Sequence, residues 1–408
     1  MGPLCAGPLV RAASGYIVKI LHVIPSVASR YGGPSRAVVE MCRALEARGV
    51  DVLIATTDAD GTGRLDVKIG EQVYFENVPA IFFPRQWSEA FKYSRPLAQW
   101  LQSHVAEFDV VHIHAVFSHA SLAAAAACRK QGVPYVVRPL GTLDPWSLQQ
   151  KQLKKRLFWQ LGVQKMLKGA AAIHYTTQAE QELAEGSLGI SGGVVIPLGI
   201  ETHLLNERAV SKEREEKCLP SIKPPYVLVM SRLHQKKGLE VLLPAFLSLV
   251  KKPEFAKWQL VLAGEGESAY VASLKSLVKS GGGNGNVVFA GWLEEAQREN
   301  ALRDASLLAL TSYQENFGLC ILEALAEGVP VVISSDVNLA KDIADAKAGW
   351  ITKVDVAGLE RTLSEAMADK EQRFMRGLAG KAFSQNFTWE NIAEKLESMY
   401  LSIIKSHG

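Results

Sequence analysis

From Ile17 onward, short β-branched runs alternate with longer stretches whose apolar residues recur every three or four positions. This alternation constrains the fold more than any other feature. Strands separated by helices pair in parallel only if each helix crosses over the sheet. Val18–Ile24 is apolar almost throughout, as a strand buried on both faces requires. A Gly-Gly-Pro turn follows, then an amphipathic stretch over Ser35–Arg48, with Pro34 suited to a first helical turn and Gly49 to the position past the last. Val52–Thr56, Val110–His114, Tyr135–Arg138 and Ala171–Tyr175 read as further strands. Ser88–Val105, Ser118–Lys130, Ser147–Lys168 and Gln178–Leu188 read as the helices between them.

The pattern lapses once. Residues 206–225 carry the charged run KEREEK with Pro220, Pro224 and Pro225, the composition of a linker. Strands are then expected at Tyr226–Met230, Gln259–Ala263, Val287–Ala290, Leu307–Thr311 and Val329–Ser334. Helices are expected at Gly238–Val250, Ala269–Lys279 and Ala296–Arg303, with another starting near Gly318. The expected architecture is α/β: two Rossmann-like domains, 17–205 and 226–387, whose parallel sheets face a cleft. A loose tail, 1–16, precedes them, and a periodic helix within 388–408, opening at Trp389, crosses back to the first domain.

Composition narrows the function. A chain of 408 residues has room for two or three domains, each burying its own core. Its 45 Lys+Arg against 42 Asp+Glu leave a net charge of +3, far too little for a nucleic-acid coat, so no nucleic acid is expected. The five cysteines are scattered, with no Cys-x-x-Cys pair and no histidine cluster beside one. That usage implies reduced thiols, a cytoplasmic setting and no structural zinc. The Ala-rich stretch Ser121–Cys128 is far short of a membrane span, and MGPLCAGPLVRAASG has neither the basic start nor the apolar run of a signal peptide.

Four motifs could carry chemistry. Gly32-Gly33-Pro34-Ser35 opens a helix after a buried strand, where glycines let backbone approach an anion; an ordinary tight turn accounts for it equally well. In Asp109–His114 the side chains of His112 and His114 share one face, and His114 sits nearer the carboxyl end, where open α/β sheets bind ligands. The alternative is a pair of histidines satisfied inside the helix–sheet layer, with His119 as packing neighbour. Ser231–Gly238 (SRLHQKKG) places Arg232 and Lys237 at a strand's carboxyl end, suited to a diphosphate, although solvated basic loops are common. The fourth, Glu315–Glu323 (ENFGLCILE), is the most specific. Gly318 turns the chain into a helix, the amides of Gly318 and Leu319 point outward, and Glu323 lies within an apolar helix where an unpaired carboxylate is costly. A ligand with paired hydroxyls, such as a ribose, would satisfy it.

Together these residues resemble family 4 of the retaining glycosyltransferases, also called glycosyl transferases group 1, which have the GT-B fold. The Glu-x7-Glu segment Glu315–Glu323 is the most specific mark. SRLHQKKG at Ser231–Gly238, LAGEGE at Leu262–Glu267 and VVFAGWL at Val287–Leu293 support it in order, as do GGPSR at Gly32–Arg36, HIHAVFSH at His112–His119 and GTLDPWSL at Gly141–Leu148. The resemblance implies transfer of a sugar from a nucleoside diphosphate donor, UDP- or GDP-linked, to an acceptor sugar, a lipid-linked glycan or a small molecule, with retention. It implies that Arg232 and Lys237 bind the diphosphate, that Glu323 binds the ribose, and that Glu315 stabilises positive charge at the anomeric carbon. Gly264, Gly318 and Leu319 would line the donor site, Gly32 and Gly33 would close over it, and His114 would contact the transferred sugar. No cofactor and no metal are expected.

Lys151–Lys168 (KQLKKRLFWQLGVQKMLK) interleaves basic and apolar residues and could rest on an anionic membrane; a sheet-covering helix with a solvated basic face is the plainer alternative. Other readings are a sugar-nucleotide epimerase or a phosphorylase of the same architecture, or a non-catalytic nucleotide-sugar-binding protein. Keeping both glutamates with Arg232 and Lys237 argues against a decayed site. A dehydrogenase is weaker, since no Gly-x-Gly-x-x-Gly follows the first strand.

Overall fold

The computed structural model describes residues 17–87, 89–150, 152–201, 222, 225–283 and 285–407. It divides into two compact units, Met1–Gly199 with Trp389–Gly408, and Ile200–Thr388. The tail expected at 1–16 and nearly all of the linker expected at 206–225 lie outside the described residues.

The first unit opens with β1 (Lys19–Ser26), α1 (Gly33–Ala47) and β2 (Asp51–Thr57), followed by a minimal hairpin, β3 (Ala59–Asp60) with β4 (Gly63–Arg64). Next come β5 (Gln72–Phe75), β6 (Val78–Phe83), α2 (Arg95–His104), β7 (Val110–His114), α3 (His119–Gln131) and β8 (Tyr135–Arg138). The short helices α4 (Pro145–Gln149), α5 (Gln152–Phe158) and α6 (Gln164–Lys168) lead to β9 (Ala172–Tyr175), α7 (Gln178–Leu188) and β10 (Gly193–Val195). The sheet order is β10-β9-β8-β7-β1-β2-β6-β5. Every pairing is parallel except β5 with β6. Leu21, Val23, Val111, Ile113 and Val137 face α2 and α3 in one core layer, all fully buried.

One fully buried strand of this unit was not anticipated, and two helix expectations are corrected. β6 escapes the periodicity reading because Pro79 interrupts a six-residue buried run; Pro79 precedes the pairing with β2 and faces the edge strand β5, the place where a strand tolerates proline. The helix expected over Ser88–Val105 begins only at Arg95, where the Ser94 hydroxyl accepts the Leu97 amide and Pro96 fits the first turn. The helix expected over Ser147–Lys168 is broken into α4, α5, a π-helical turn at Trp159–Val163, and α6.

The second unit repeats the plan with β11 (Tyr226–Met230), α8 (Leu239–Leu249), β12 (Gln259–Ala263), α9 (Ser268–Gly281), β13 (Val287–Gly291), α10 (Glu295–Arg303), β14 (Leu307–Leu310), α11 (Leu319–Ala326) and β15 (Val331–Ser334). The chain continues through α12 (Ala340–Asp345), β16 (Gly349–Thr352), α13 (Val356–Ala368) and α14 (Lys370–Ser384), none of which the sequence reading resolved. Its sheet, β13-β12-β11-β14-β15-β16, is wholly parallel. Apolar α8, with seven buried residues, packs over it; each buried Leu or Phe contributes roughly 1.5–3 kcal/mol.

The last helix, α15 (Trp389–His407), belongs to the first unit, where it packs on α1. Trp389, Ile392, Leu396, Met399, Tyr400 and Ile403 form its buried stripe, and Arg48 pairs with Glu397 at 2.7 Å. Among the described residues, no helix is long and apolar enough to cross a membrane.

Candidate functional site

In the second unit the candidate residues converge at the carboxyl ends of β11, β12 and β14. The loop after β11 ends in a helical turn that presents Lys237, whose ammonium pairs with the Glu315 carboxylate. Main chain pins both partners: Thr311 Oγ1 donates to Lys237 O at 3.1 Å, Glu315 N to Asp336 O at 3.2 Å, and Asn338 N to Glu315 O at 3.0 Å. Ser312 Oγ adds a bond to the Glu315 carboxylate at 3.4 Å. Burial pushes the Glu315 carboxyl up, but Lys237, with Lys236 and Arg232 behind it, outweighs this and holds it below the usual carboxylate range. Glu315 is therefore an ionised, positioned acceptor. Arg232 is exposed on the same loop.

Gly318 caps α11 with φ of 73°; a Cβ there would sit 3.0 Å from Ile321 Cδ1 and Leu310 Cδ2. The turn it allows leaves the amides of Leu319 and Cys320 without partners inside the helix, beside Glu315, while Ile321 N donates to Gly318 O at 2.8 Å. Gly264 is required for a different reason. At φ of 134° its Cβ would lie 2.0 Å from Ser231 O, so the loops after β11 and β12 touch backbone to backbone. They are further tied by Leu233 N to Glu265 O at 2.7 Å. Loop packing alone accounts for Gly264. Cys320 beside them is a free thiol that burial pushes up to about 12, so it stays protonated near neutrality.

Glu323 departs from expectation. It is 2% exposed, as its apolar helix implied, but it already has a cation at hand: Arg298 of α10 reaches its Oε1 at 3.4 Å. Sequence reading passed over Arg298, because α10 is polar on most of its surface and nothing in its spacing marks one arginine.

The first unit holds Gly32, Gly33 and His114. Gly32 has φ of 77° with open space where a side chain would be, and its amide donates to Ser29 O at 2.8 Å while its carbonyl accepts Ser35 N at 3.1 Å. That is a tight turn into α1. His114, expected to contact the transferred sugar, is fully buried with both ring nitrogens in contact with neighbours. Its Nε2 meets His22 Nδ1 at 3.0 Å and its Nδ1 lies 3.5 Å from Arg138. His119 is not its neighbour; it packs instead on Phe91 and Tyr93.

His114 belongs to a cluster on one sheet face, with His22, His112, His174 and Arg138, all fully or almost fully buried. The bonds assign the tautomers. His174 Nε2 donates to Ile196 O at 2.7 Å, so its Nδ1 accepts from His112 Nε2 at 3.3 Å. His112 Nδ1 then accepts the Tyr400 hydroxyl at 2.7 Å. Burial, reinforced by the Arg138 charge, lowers His22 and His174 to about 3, and burial with neighbouring histidines and Arg138 holds His112 and His114 well below the usual value. His22, His112 and His114 have the spacing of a metal triad. One bond joins two of them, His22 Nδ1 to His114 Nε2; His112 is bonded to His174 and Tyr400, His114 Nδ1 lies against Arg138, His22 Nε2 is buried without a hydrogen-bond partner, and the adjacent guanidinium opposes a cation. The signal that could have exposed this cluster is pleat parity, since β1, β7 and β9 each carry a histidine in a buried strand.

Two family models match the chain: the glycosyl transferase 4-like domain over residues 32–199 and glycosyl transferases group 1 over residues 211–383. The chain belongs to the group 1 glycosyl transferases. It is 31% identical to a D-inositol 3-phosphate glycosyltransferase of Corynebacterium diphtheriae over 194 residues, 46% of this chain and 45% of that one. In several such curated relatives the matched region spans about half of the relative's length. A D-inositol 3-phosphate glycosyltransferase of Xylanimonas cellulosilytica is 25% identical over 398 residues, 92% of each chain. The fold is that of the solved HepE structure of Anabaena in complex with UDP and glucose, with a TM-score of 0.75, 22% identity, and coverage of 94% of this chain and 100% of that one. In this group 1 glycosyl transferase, then, the residues that cluster are those of the second unit.

Proposed function

We propose that this chain transfers a glycosyl group from a nucleoside diphosphate sugar to an acceptor hydroxyl, with retention at the anomeric carbon. The observation that carries the reading is the Lys237–Glu315 ion pair at the start of α11, with buried Glu323 on the same helix. In the reaction the bond from anomeric carbon to phosphate breaks and a bond to the acceptor oxygen forms; the acceptor proton leaves with the diphosphate. Lys237, Arg232 and the α11 amides stabilise the departing negative charge. Glu315 stabilises the positive charge that develops at the sugar. Glu323 holds the ribose, which changes little during reaction. His114 has no role here, because its nitrogens are committed inside the layer. The HepE structures, in complex with UDP or UDP-glucose, make UDP the first donor nucleotide to try.

Steady-state kinetics test the assignment. Glu315→Gln should lower kcat strongly with little change in donor KM, whereas Glu323→Gln should mainly raise that KM. A fully active Glu315→Gln enzyme would remove the strongest support. Nucleoside diphosphate released only when acceptor is present separates transfer from epimerisation and from mere binding. Because protein cations serve as the counter-charge, activity in excess EDTA should equal that in magnesium.

The acceptor is a sugar, a lipid-linked glycan or a small molecule. The lipid-linked form is favoured by Leu157 and Leu161, which are 55% and 66% exposed among Lys155, Arg156, Lys165 and Lys168. Sedimentation with anionic vesicles that reverses as salt rises is the expected result; indifference to lipid charge would leave this face merely solvated.

A further inference from the structure

We propose that Arg298 is a positioning residue for Glu323 and, through it, sets how strictly the site demands a ribose. The inference rests on the reading of Glu323 given above. Glu323 lies between Leu322 and Ala324, both at 0% exposure, and its own side chain is 3% exposed. A carboxylate in such a layer is costly without a partner, and a cation beside it fixes its orientation.

Arg298 provides that cation from a separate helix, with 3.4 Å between its terminal nitrogen and Glu323 Oε1. The helix is well anchored. A capping box between Glu294 and Gln297 starts α10, Asn300, Ala301 and Leu302 are buried, and the Tyr226 hydroxyl donates to Ala301 O at 2.6 Å. Arg298 also keeps its Nε buried without a hydrogen-bond partner, which is costly for a charged group. The contact with Glu323 is thus what the side chain gains by lying where it does.

The chemistry follows from the donor inventory. An ionised carboxylate only accepts, and a ribose offers two neighbouring hydroxyl donors. By fixing the plane of the Glu323 carboxylate, Arg298 makes it an acceptor matched to those hydroxyls. A rotated carboxyl would lose the distinction between a ribose and a deoxyribose.

Calorimetry with UDP, GDP and ADP first finds the tightest nucleotide, and its 2′-deoxy analogue is then compared with it. The wild-type chain should prefer the ribose form by roughly tenfold or more, the range of one charge-assisted hydrogen bond. Arg298→Met should lose most of that preference, and Arg298→Lys, which keeps a cation, should retain it. In a double-mutant cycle, Arg298→Met should add almost nothing in the Glu323→Gln background. If Arg298→Met does not fold, Arg298→Gln takes its place. A wild-type preference in the Arg298 variant, or losses that add in the cycle, would overturn the proposal while leaving the Glu323 reading intact. If Glu323→Gln itself leaves the preference unchanged, the ribose assignment is wrong and the role of Arg298 falls with it.

Discussion

Acidification should destabilise the first unit steeply, and the buried histidines set the size of the effect. His22, His112, His114 and His174 are neutral in the folded chain, held so by burial and by Arg138. On unfolding each regains an ordinary value near 6.5, so below that pH the unfolded chain binds more protons and stability falls. The contribution is complete above pH 6.5. It is lost as pH drops toward the folded value, about 3 for His22 and His174. At pH 5.5 the loss depends only on the unfolded value, because the folded values lie far lower. It comes to about 1.4 kcal/mol per histidine relative to pH 7.5, or about 5–6 kcal/mol for the cluster. That is comparable to the whole stability of an ordinary domain. Glu46, raised to about 7 chiefly by burial, works in the opposite direction, but it is only partly buried and solvent screening limits its share. Hydrogen exchange at the β1 and β7 amides, corrected for intrinsic rates, reports the opening free energy of this unit specifically. His174→Gln, which can still donate to Ile196 O, should remove about a quarter of the slope. A fall of less than about 1.4 kcal/mol between pH 7.5 and 5.5 would refute the reasoning.

Three further outcomes follow from the same structure. Gly264→Ala drives a Cβ to 2.0 Å from Ser231 O at a φ that only glycine tolerates, so it should cost about 3 kcal/mol or more in urea denaturation; a loss under about 1 kcal/mol would mean that the loops part easily. Tyr400→Phe leaves His112 Nδ1 buried without its donor and should lower stability by about 1–3 kcal/mol, visible as earlier melting of the first unit. Lys237→Met removes the main group holding the Glu315 carboxyl down, so its titration by NMR should move upward as burial prevails. Nucleotide affinity should fall by roughly 10- to 100-fold, and an unmoved Glu315 would show that Lys236 and Arg232 suffice.

Much of the architecture was legible in the chain itself. Strand–helix alternation gives two parallel α/β units because a parallel strand needs a crossover helix; the division between them falls at Gly199 and Ile200, ahead of the lapse at 206–225. Gly318 at the head of an apolar helix located the turn beside Glu315, since short-range backbone geometry is a local property. Local pattern failed where a residue's meaning depends on a distant partner. Pro79 can sit inside β6 because its partner strand β5 is the edge of the sheet, and Gly162 gave no warning that a basic helix is interrupted by a π-helical turn.

What the sequence alone determined was residue type at fixed spacing: a lysine after one buried strand, a glutamate after another and a second glutamate within an apolar helix, and histidines at one parity of buried strands. Only the tertiary structure decided what each would face. It set Lys237 on Glu315 and Arg298 against Glu323, and it enclosed His114 among His22, Arg138 and His112 beneath Tyr400 of the returning α15. The physical reason is that a side chain's charge and exposure are fixed by groups tens to hundreds of residues away, which spacing along one chain does not encode.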